Sequence, residues 1–141
     1  IGMVVASRSR KVIGVEINAE AVKNARLNAR KNDISNISFV CADASDYMVD
    51  LAKEGTSVDV VLMDPPRDGS DERFLDSILR LKPKRVVYVS CGPYALARDL
   101  EFLTRHGEYR VVDMVGVDLF PHTYHVEAII LMTRSGSGDK K

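Results

Sequence analysis

Residues 58–93 read VDVVLMDPPRDGSDERFLDSILRLKPKRVVYVSCGP: an apolar run, a polar turn, a helical pattern and a second apolar run. The runs 58–63 and 85–90 are short and rich in branched side chains, the pattern of strands buried on both faces. Between them Asp71 and Glu72 follow Ser70, which suits a helix N-terminus, and Phe74, Leu75, Ile78 and Leu79 repeat on one face until Pro83 stops the pattern. Strand, helix and strand in that order imply parallel pairing, a right-handed crossover and a ligand site at the carboxyl ends of the strands.

The same alternation extends both ways. Val12–Glu16 and Ile37–Cys41 read as strands, and Asn18 can cap a helix that carries Ala21, Val22, Ala25 and Ala29 on one stripe. Residues 1–8 read as a helix feeding the first of these strands. Downstream, Leu96, Leu100 and Leu103 share a stripe that ends at Gly107. Runs 109–117 and 127–132 likewise read as buried strands, the last two. Only residues 118–126 separate them, too few for a helical crossover, so the final strand is expected to run antiparallel. The expected fold is α/β: a doubly wound, Rossmann-like sheet with an antiparallel last strand.

Composition bounds the function. The chain has 141 residues, 20 Lys plus Arg against 20 Asp plus Glu, 45% hydrophobic residues, two Cys and no Trp. A chain of this size buries roughly two-thirds of its unfolded surface, enough for a core without disulfides or a structural metal. Residues 1–134 read as one folded unit, and 135–141, SGSGDKK, as a flexible tail. No apolar stretch approaches the roughly 18 residues that span a bilayer, and no signal-peptide pattern opens the chain, so the expected setting is cytoplasmic with no membrane partner. The Cys and His spacings make no zinc pattern, and no metal is expected. Zero net charge argues against a strongly basic nucleic-acid module while leaving room for a local patch.

Several residues could carry chemistry. Glu16 ends a strand where an acid can accept both hydroxyls of a ribose, or can be a plain surface carboxylate. Asp43 follows the strand ending at Cys41 and can take an exocyclic amine or cap the next helix. Asp64 is delivered at a strand tip, and Pro65 and Pro66 stiffen the backbone after it, with Arg67 and Asp68 adding opposite charges. Cys91 lies just past a strand and just before a helix beginning near Pro93. Helix N-termini and nearby cations favour thiolates, so Cys91 is a candidate nucleophile. Cys41, inside an apolar strand, reads as a small core residue. Glu127, at the mouth of the last strand, is a candidate general base. His122 and His125 could bind a metal, but without further ligands nearby they suit hydrogen bonds to the loop or to a substrate.

Taken together, Asp64-Pro65-Pro66-Arg67, Val89-Ser90-Cys91-Gly92-Pro93 with Ala97-Arg98-Asp99, and Phe120-Pro121-His122-Thr123-Tyr124-His125-Val126-Glu127 resemble the RNA uracil-5-methyltransferase family. The wording is nearest to its bacterial branch acting on 23S ribosomal RNA, and the likeness covers 1–134. The predicted sheet is also the usual layout of S-adenosylmethionine-dependent methyltransferases. What the resemblance implies is methylation of carbon 5 of a uridine, with Cys91 adding to carbon 6 of the base and Glu127 removing the proton from carbon 5. It implies Glu16 on the ribose and Asp43 on the adenine of S-adenosylmethionine, Asp64 near both cofactor and uracil, and Arg67 and His122 on the RNA. A uridine in folded RNA would have to be flipped out to reach such a site. Transfer RNA is the alternative substrate. Arg67 stands where N6-adenine and N4-cytosine methyltransferases place a stacking aromatic, which argues against amino methylation.

Two departures qualify the resemblance. Gly92 replaces the family's usual Asn or Asp, which implies looser positioning beside Cys91. No Gly-rich turn is present, although such a fold opens with one; its absence also argues against a nicotinamide-dependent oxidoreductase. The chain is therefore expected to be the carboxyl-terminal piece of a longer enzyme, inactive alone and able to self-associate through exposed sheet edges.

Overall fold

A computed structural model describes residues 1–105, 107–119, 121–123 and 126–136. Phe120, Tyr124 and His125 of the last motif, and the part of the expected tail from Ser137 onward, lie outside the described residues. The chain divides into two compact units, Ile1–Asp50 and Leu51–Lys141.

In the first unit a short helix α1 (Gly2–Ala6) precedes strand β1 (Val12–Glu16), helix α2 (Ala19–Lys31) and strand β2 (Ile37–Cys41). The strands pair in parallel, Val12 opposite Ile37 through Glu16 opposite Cys41. Asn18 caps α2 as its sequence position suggests, its Oδ1 accepting from the amides of Glu20 and Ala21. Val22 and Ala29 are the buried members of the helix stripe. Asn36 donates from Nδ2 to the carbonyls of Ala6 and Ser9, both at 2.8 Å, which ties the end of α1 to the start of β2. Helix α3 (Ala44–Lys53) follows.

The second unit holds strands β3 (Val60–Met63) and β4 (Arg85–Ser90), joined by helix α4 (Glu72–Leu81). Helix α5 (Pro93–Thr104) then leads to strands β5 (Tyr109–Val117) and β6 (Glu127–Arg134). The sheet is four-stranded, in the order β3-β4-β6-β5. Strands β3 and β4 are parallel, while β6 is inserted antiparallel between β4 and β5. The antiparallel last strand is thus present. Asp71 is the N-cap of α4, accepting from the Phe74 amide at 2.8 Å, and Lys82 closes the helix at φ 52° just before Pro83.

The strand boundaries differ from the sequence pattern where pairing decides them. Strand β3 starts at Val60 because its ladder with β4 starts at Arg85, and β6 runs on to Arg134 because Thr133 and Arg134 still pair with Arg85 and Tyr109. Strand β5 is a correction to the buried-strand reading. It is exposed along nearly its whole length, because it forms the sheet edge and hydrogen-bonds only to β6. Cys41 is a second correction: it is exposed rather than a core residue, at the end of a strand in a sheet of only two. Among the described residues no helix is long and apolar enough to cross a membrane.

The core of the second unit contains Leu75, Ile78, Val86, Tyr88, Leu103, Tyr109, Ile130 and Met132. Tyr109 is 2% exposed and donates its hydroxyl to the Pro83 carbonyl at 2.8 Å. Burial pushes this phenol up to about 12, with Arg134 pulling down and Glu108 pushing up. The folded value exceeds the ordinary value of about 10, so the stabilisation is fully present below pH 10 and is lost between about 10 and 12, at about 1.4 kcal/mol per pH unit. Tyr109→Phe should therefore cost about 1–2 kcal/mol at pH 8 by orphaning the Pro83 carbonyl, and the gap to the unaltered protein should narrow toward pH 11. Urea denaturation at a series of pH values measures both. A gap independent of pH would contradict this assignment.

Candidate functional site

The ends of three neighbouring strands of the second unit meet at one edge of its sheet. Met63, the last residue of β3, stands opposite Tyr88, so Asp64 emerges beside the end of β4. Ser90, the last residue of β4, stands opposite Ala128. Cys91 directly follows Ser90 and Glu127 directly precedes Ala128, so the two flank the last pair of this ladder. The buried face of this pair of strands carries Val86, Tyr88 and Ser90 against Met132, Ile130 and Ala128. Cys91 and Glu127 are both intermediate in exposure. Sequence-distant Asp64, Cys91 and Glu127 are therefore brought to the same sheet end by backbone pairing alone.

The loop after Asp64 and the start of α5 enclose an open cleft of about 830 Å³. Arg67 and Asp68 line one side; Cys91, Tyr94 and Arg98 line the other. Asp64 and Arg67 are exposed, and neither side chain has a hydrogen-bond or ionic partner among the described residues. Tyr94 is 92% exposed, an unusual state for a large ring at the lip of a cleft. Pro93 stands at the first turn of α5, where its fixed φ suits helix entry.

Gly92 packs against the loop that follows Asp64. A Cβ at this position would come within 2.5 Å of the Arg67 carbonyl oxygen, so the absence of a side chain lets the loop close directly against the residue following Cys91. The Gly92 amide donates to Ser90 Oγ at 3.1 Å, and Ser90 Oγ lies 3.2 Å from the Gly92 carbonyl, completing a tight turn. His122 is exposed in the β5–β6 connection and holds φ 69°, a left-handed conformation in which a non-glycine residue is held by its surroundings. That connection enters β6 at Glu127, the same sheet end that carries Cys91.

The remaining residues expected to take part lie in the first unit. Glu16 and Cys41 are opposed at the carboxyl ends of β1 and β2, and Asp43 follows directly. Glu16 is exposed, with Oε1 accepting from the Asn18 amide at 2.8 Å. Asp43 does cap α3: its Oδ1 accepts from the amides of Ser45 and Asp46 at 2.9 and 3.0 Å. An ionised carboxylate has about four acceptor positions, so neither role exhausts it. Among the described residues no group of three His, Cys, Asp or Glu side chains gathers as a metal site.

Sequence reasoning gave no role to Tyr88, Tyr94, Arg98 or Asp99, although Arg98 and Asp99 belong to a motif that carries the resemblance. Asp99 is wholly buried and accepts from the Tyr88 hydroxyl at 2.8 Å. Burial first, and then that hydrogen bond, push the Tyr88 phenol well above its ordinary range, so it stays a donor. The available signal was an acid on the apolar side of α5, one turn after a leucine of the buried stripe.

Residues 1–135 match the family model described as tRNA (uracil-5-)-methyltransferase. An uncharacterized RNA methyltransferase of Clostridium tetani is 43% identical over 141 residues, covering 100% of this chain and 30% of that protein. One of Bacillus cereus is 46% identical over 134 residues, 95% of this chain and 29% of that protein. The crystal structure of Pyrococcus abyssi tRNA (uracil-54, C5)-methyltransferase in complex with S-adenosyl-L-homocysteine superposes with TM-score 0.78 at 35% identity, covering 94% of this chain and 31% of that one. An rRNA methylase of Streptococcus thermophilus shares the fold, with TM-score 0.69 at 12% identity over 94% of this chain and 78% of that one. The chain thus spans about 30% of the length of the curated relatives it matches. A family match that begins at the first residue and runs through β6 is decisive: the chain belongs to the tRNA (uracil-5-)-methyltransferase family.

Proposed function

We propose that this chain supplies the catalytic residues for S-adenosylmethionine-dependent methylation of carbon 5 of a uridine in RNA, with 23S ribosomal RNA as substrate. The observation that supports this reading is the β4–β6 register, whose last pair, Ser90 and Ala128, brings Cys91 and Glu127 to one sheet end with Asp64 at the neighbouring strand tip. A thiol, a carboxylate and a further acceptor are what the chemistry asks for. The Cys91 sulfur adds to carbon 6 of the uracil, and the displaced electron pair makes carbon 5 nucleophilic. Asp64 orients the base edge by accepting from it. Once carbon 5 carries the methyl group, Glu127 takes its remaining proton, and the electrons left behind expel the Cys91 thiolate and restore the double bond.

The donors of the cofactor match the acceptors of the first unit. Ribose hydroxyls and an adenine amine are donors, and Glu16 and Asp43 present acceptors at adjoining strand ends. Glu16 would hold the ribose and Asp43 the adenine, and Asp64 is assigned to the cofactor as well as to the uracil. When bound, S-adenosylmethionine supplies an electrophilic methyl group on a sulfonium. On the RNA side, Arg67 is a free cation for a phosphate, His122 a polar contact, and the exposed ring of Tyr94 a face on which a base adjoining the flipped uridine can stack.

A second reading, transfer RNA as substrate, is favoured by the Pyrococcus abyssi enzyme, which is named for a transfer RNA position. Methylation of separated ribosomal and transfer RNA fractions by the full-length protein divides the two: label should enter the 23S fraction, and label confined to transfer RNA would replace the first reading by the second. We also propose that residues 1–141 alone bind S-adenosylmethionine weakly and do not turn over, since they contain no Gly-rich turn to close on it. Micromolar affinity in calorimetric titration would refute that.

The mechanism has a sharper test. RNA containing 5-fluorouracil should trap the full-length protein covalently, because carbon 5 then carries fluorine instead of the proton Glu127 removes. Cys91→Ala should abolish the adduct and lower methylation by at least about 10³-fold. Glu127→Gln should lower turnover about 10²- to 10⁴-fold while adduct accumulates on ordinary RNA. An adduct that survives Cys91→Ala would sink the mechanism.

A further inference from the structure

Asp99 is the one acid on α5 that is completely buried, at 0% exposure, and the proposed chemistry does not use it. Its Oδ2 accepts from the Ser70 amide and from the Tyr88 hydroxyl, each at 2.8 Å. Its Oδ1 accepts from Nε and NH2 of Arg98 at 2.9 and 2.7 Å. The same Arg98 nitrogen donates onward to the carbonyls of Asp68 and Ser70, both at 3.0 Å. One carboxylate thereby joins β4, α5 and the 64–70 loop. The loop is pressed onto it: Gly69 holds φ 81°, and a Cβ there would lie 2.7 Å from both Arg98 NH2 and Asp99 Oδ2. At its other contact the loop meets Gly92 through the Arg67 carbonyl. The segment carrying Asp64 and Arg67 is therefore gripped at two points, one of them adjacent to Cys91.

Stability alone does not call for this arrangement, because a buried ion pair is often matched or bettered by apolar side chains of similar volume. What a fully satisfied buried network provides, and apolar packing does not, is direction. We infer that Asp99 is a positioning residue: through Tyr88, Arg98 and the Ser70 amide it holds the 64–70 loop at a fixed distance from Cys91, so that Asp64 and Arg67 meet the RNA in a single geometry. This rests on the RNA methyltransferase reading for its consequence, but not for the grip itself.

The test compares Tyr88→Phe, Asp99→Asn and Leu103→Ala in the full-length protein. Tyr88→Phe removes a single oxygen and keeps the ring, so it remains informative even if Asp99→Asn does not fold. Leu103→Ala empties an equally buried site on the same helix, away from the loop, and controls for lost stability. Hydrogen exchange of the 64–71 backbone, and the rate of 5-fluorouracil adduct formation at saturating RNA, are read at a temperature where all variants are folded. Tyr88→Phe and Asp99→Asn should speed loop exchange about tenfold or more and slow adduct formation about 10- to 100-fold, with RNA affinity within about twofold. Leu103→Ala should leave both near the unaltered values. Unchanged loop exchange, an unchanged adduct rate, or an equal effect of Leu103→Ala would overturn the positioning role. If the unaltered protein forms no adduct, the methyltransferase reading fails, while the exchange measurement still decides whether Asp99 grips the loop.

Discussion

Backbone hydrogen bonding between β4 and β6 brings Cys91 and Glu127 to the same sheet end, and an antiparallel ladder cannot slip by one residue without turning every side chain to the opposite face. Such a slip would bring Ile130 and Met132, both at 0% exposure, out of the core. Each fully buried side chain of this size is worth about 1.5–3 kcal/mol, against a total stability of about 5–15 kcal/mol for an ordinary domain. The core thus defends the placement of thiol and carboxylate at one sheet end, although neither belongs to it. The insertion of β6 beside β4, in place of β5, is what makes this possible. Strand β5 is left at the edge with little cover.

Much of this was legible in the sequence, and the reasons differ by element. The strand-helix-strand unit 58–93 was readable because its periodicity changes from continuous apolar to helical and back. The cap at Asn18 was readable because side-chain capping is local chemistry. The antiparallel sense of β6 followed from chain length alone, since residues 118–126 cannot house a crossover helix. What the sequence did not disclose was long-range. Exposure of β5 and of Cys41 depends on where their strands sit in a sheet, and no window along the chain records that. That Cys91 and Glu127 reach the same sheet end depends on a register, which only the assembled ladder defines. The tight closure at Gly92 was likewise hidden, because a missing side chain reads as lost function until the neighbouring carbonyl is seen to occupy its space.

The acids show why residue type alone is an incomplete guide to role. Asp43 sits before an amide-rich helix start, and its carboxylate is partly occupied in capping that helix. Asp99 has been taken fully out of water, where an ionised carboxylate is tolerated only if several donors surround it. An amide, a phenol and a guanidinium do so. Among the described residues Asp64 has neither a cap nor a cation, and it stands exposed at a strand tip just before two stiffening prolines. An acid whose acceptor sites are all engaged by the protein can only shape its surroundings, whereas one held rigidly with those sites open can engage a ligand. By that criterion the buried carboxylate of Asp99 serves the exposed one of Asp64. The protein stores its uncompensated polarity at the sheet edge and spends its buried hydrogen bonds in keeping that edge still.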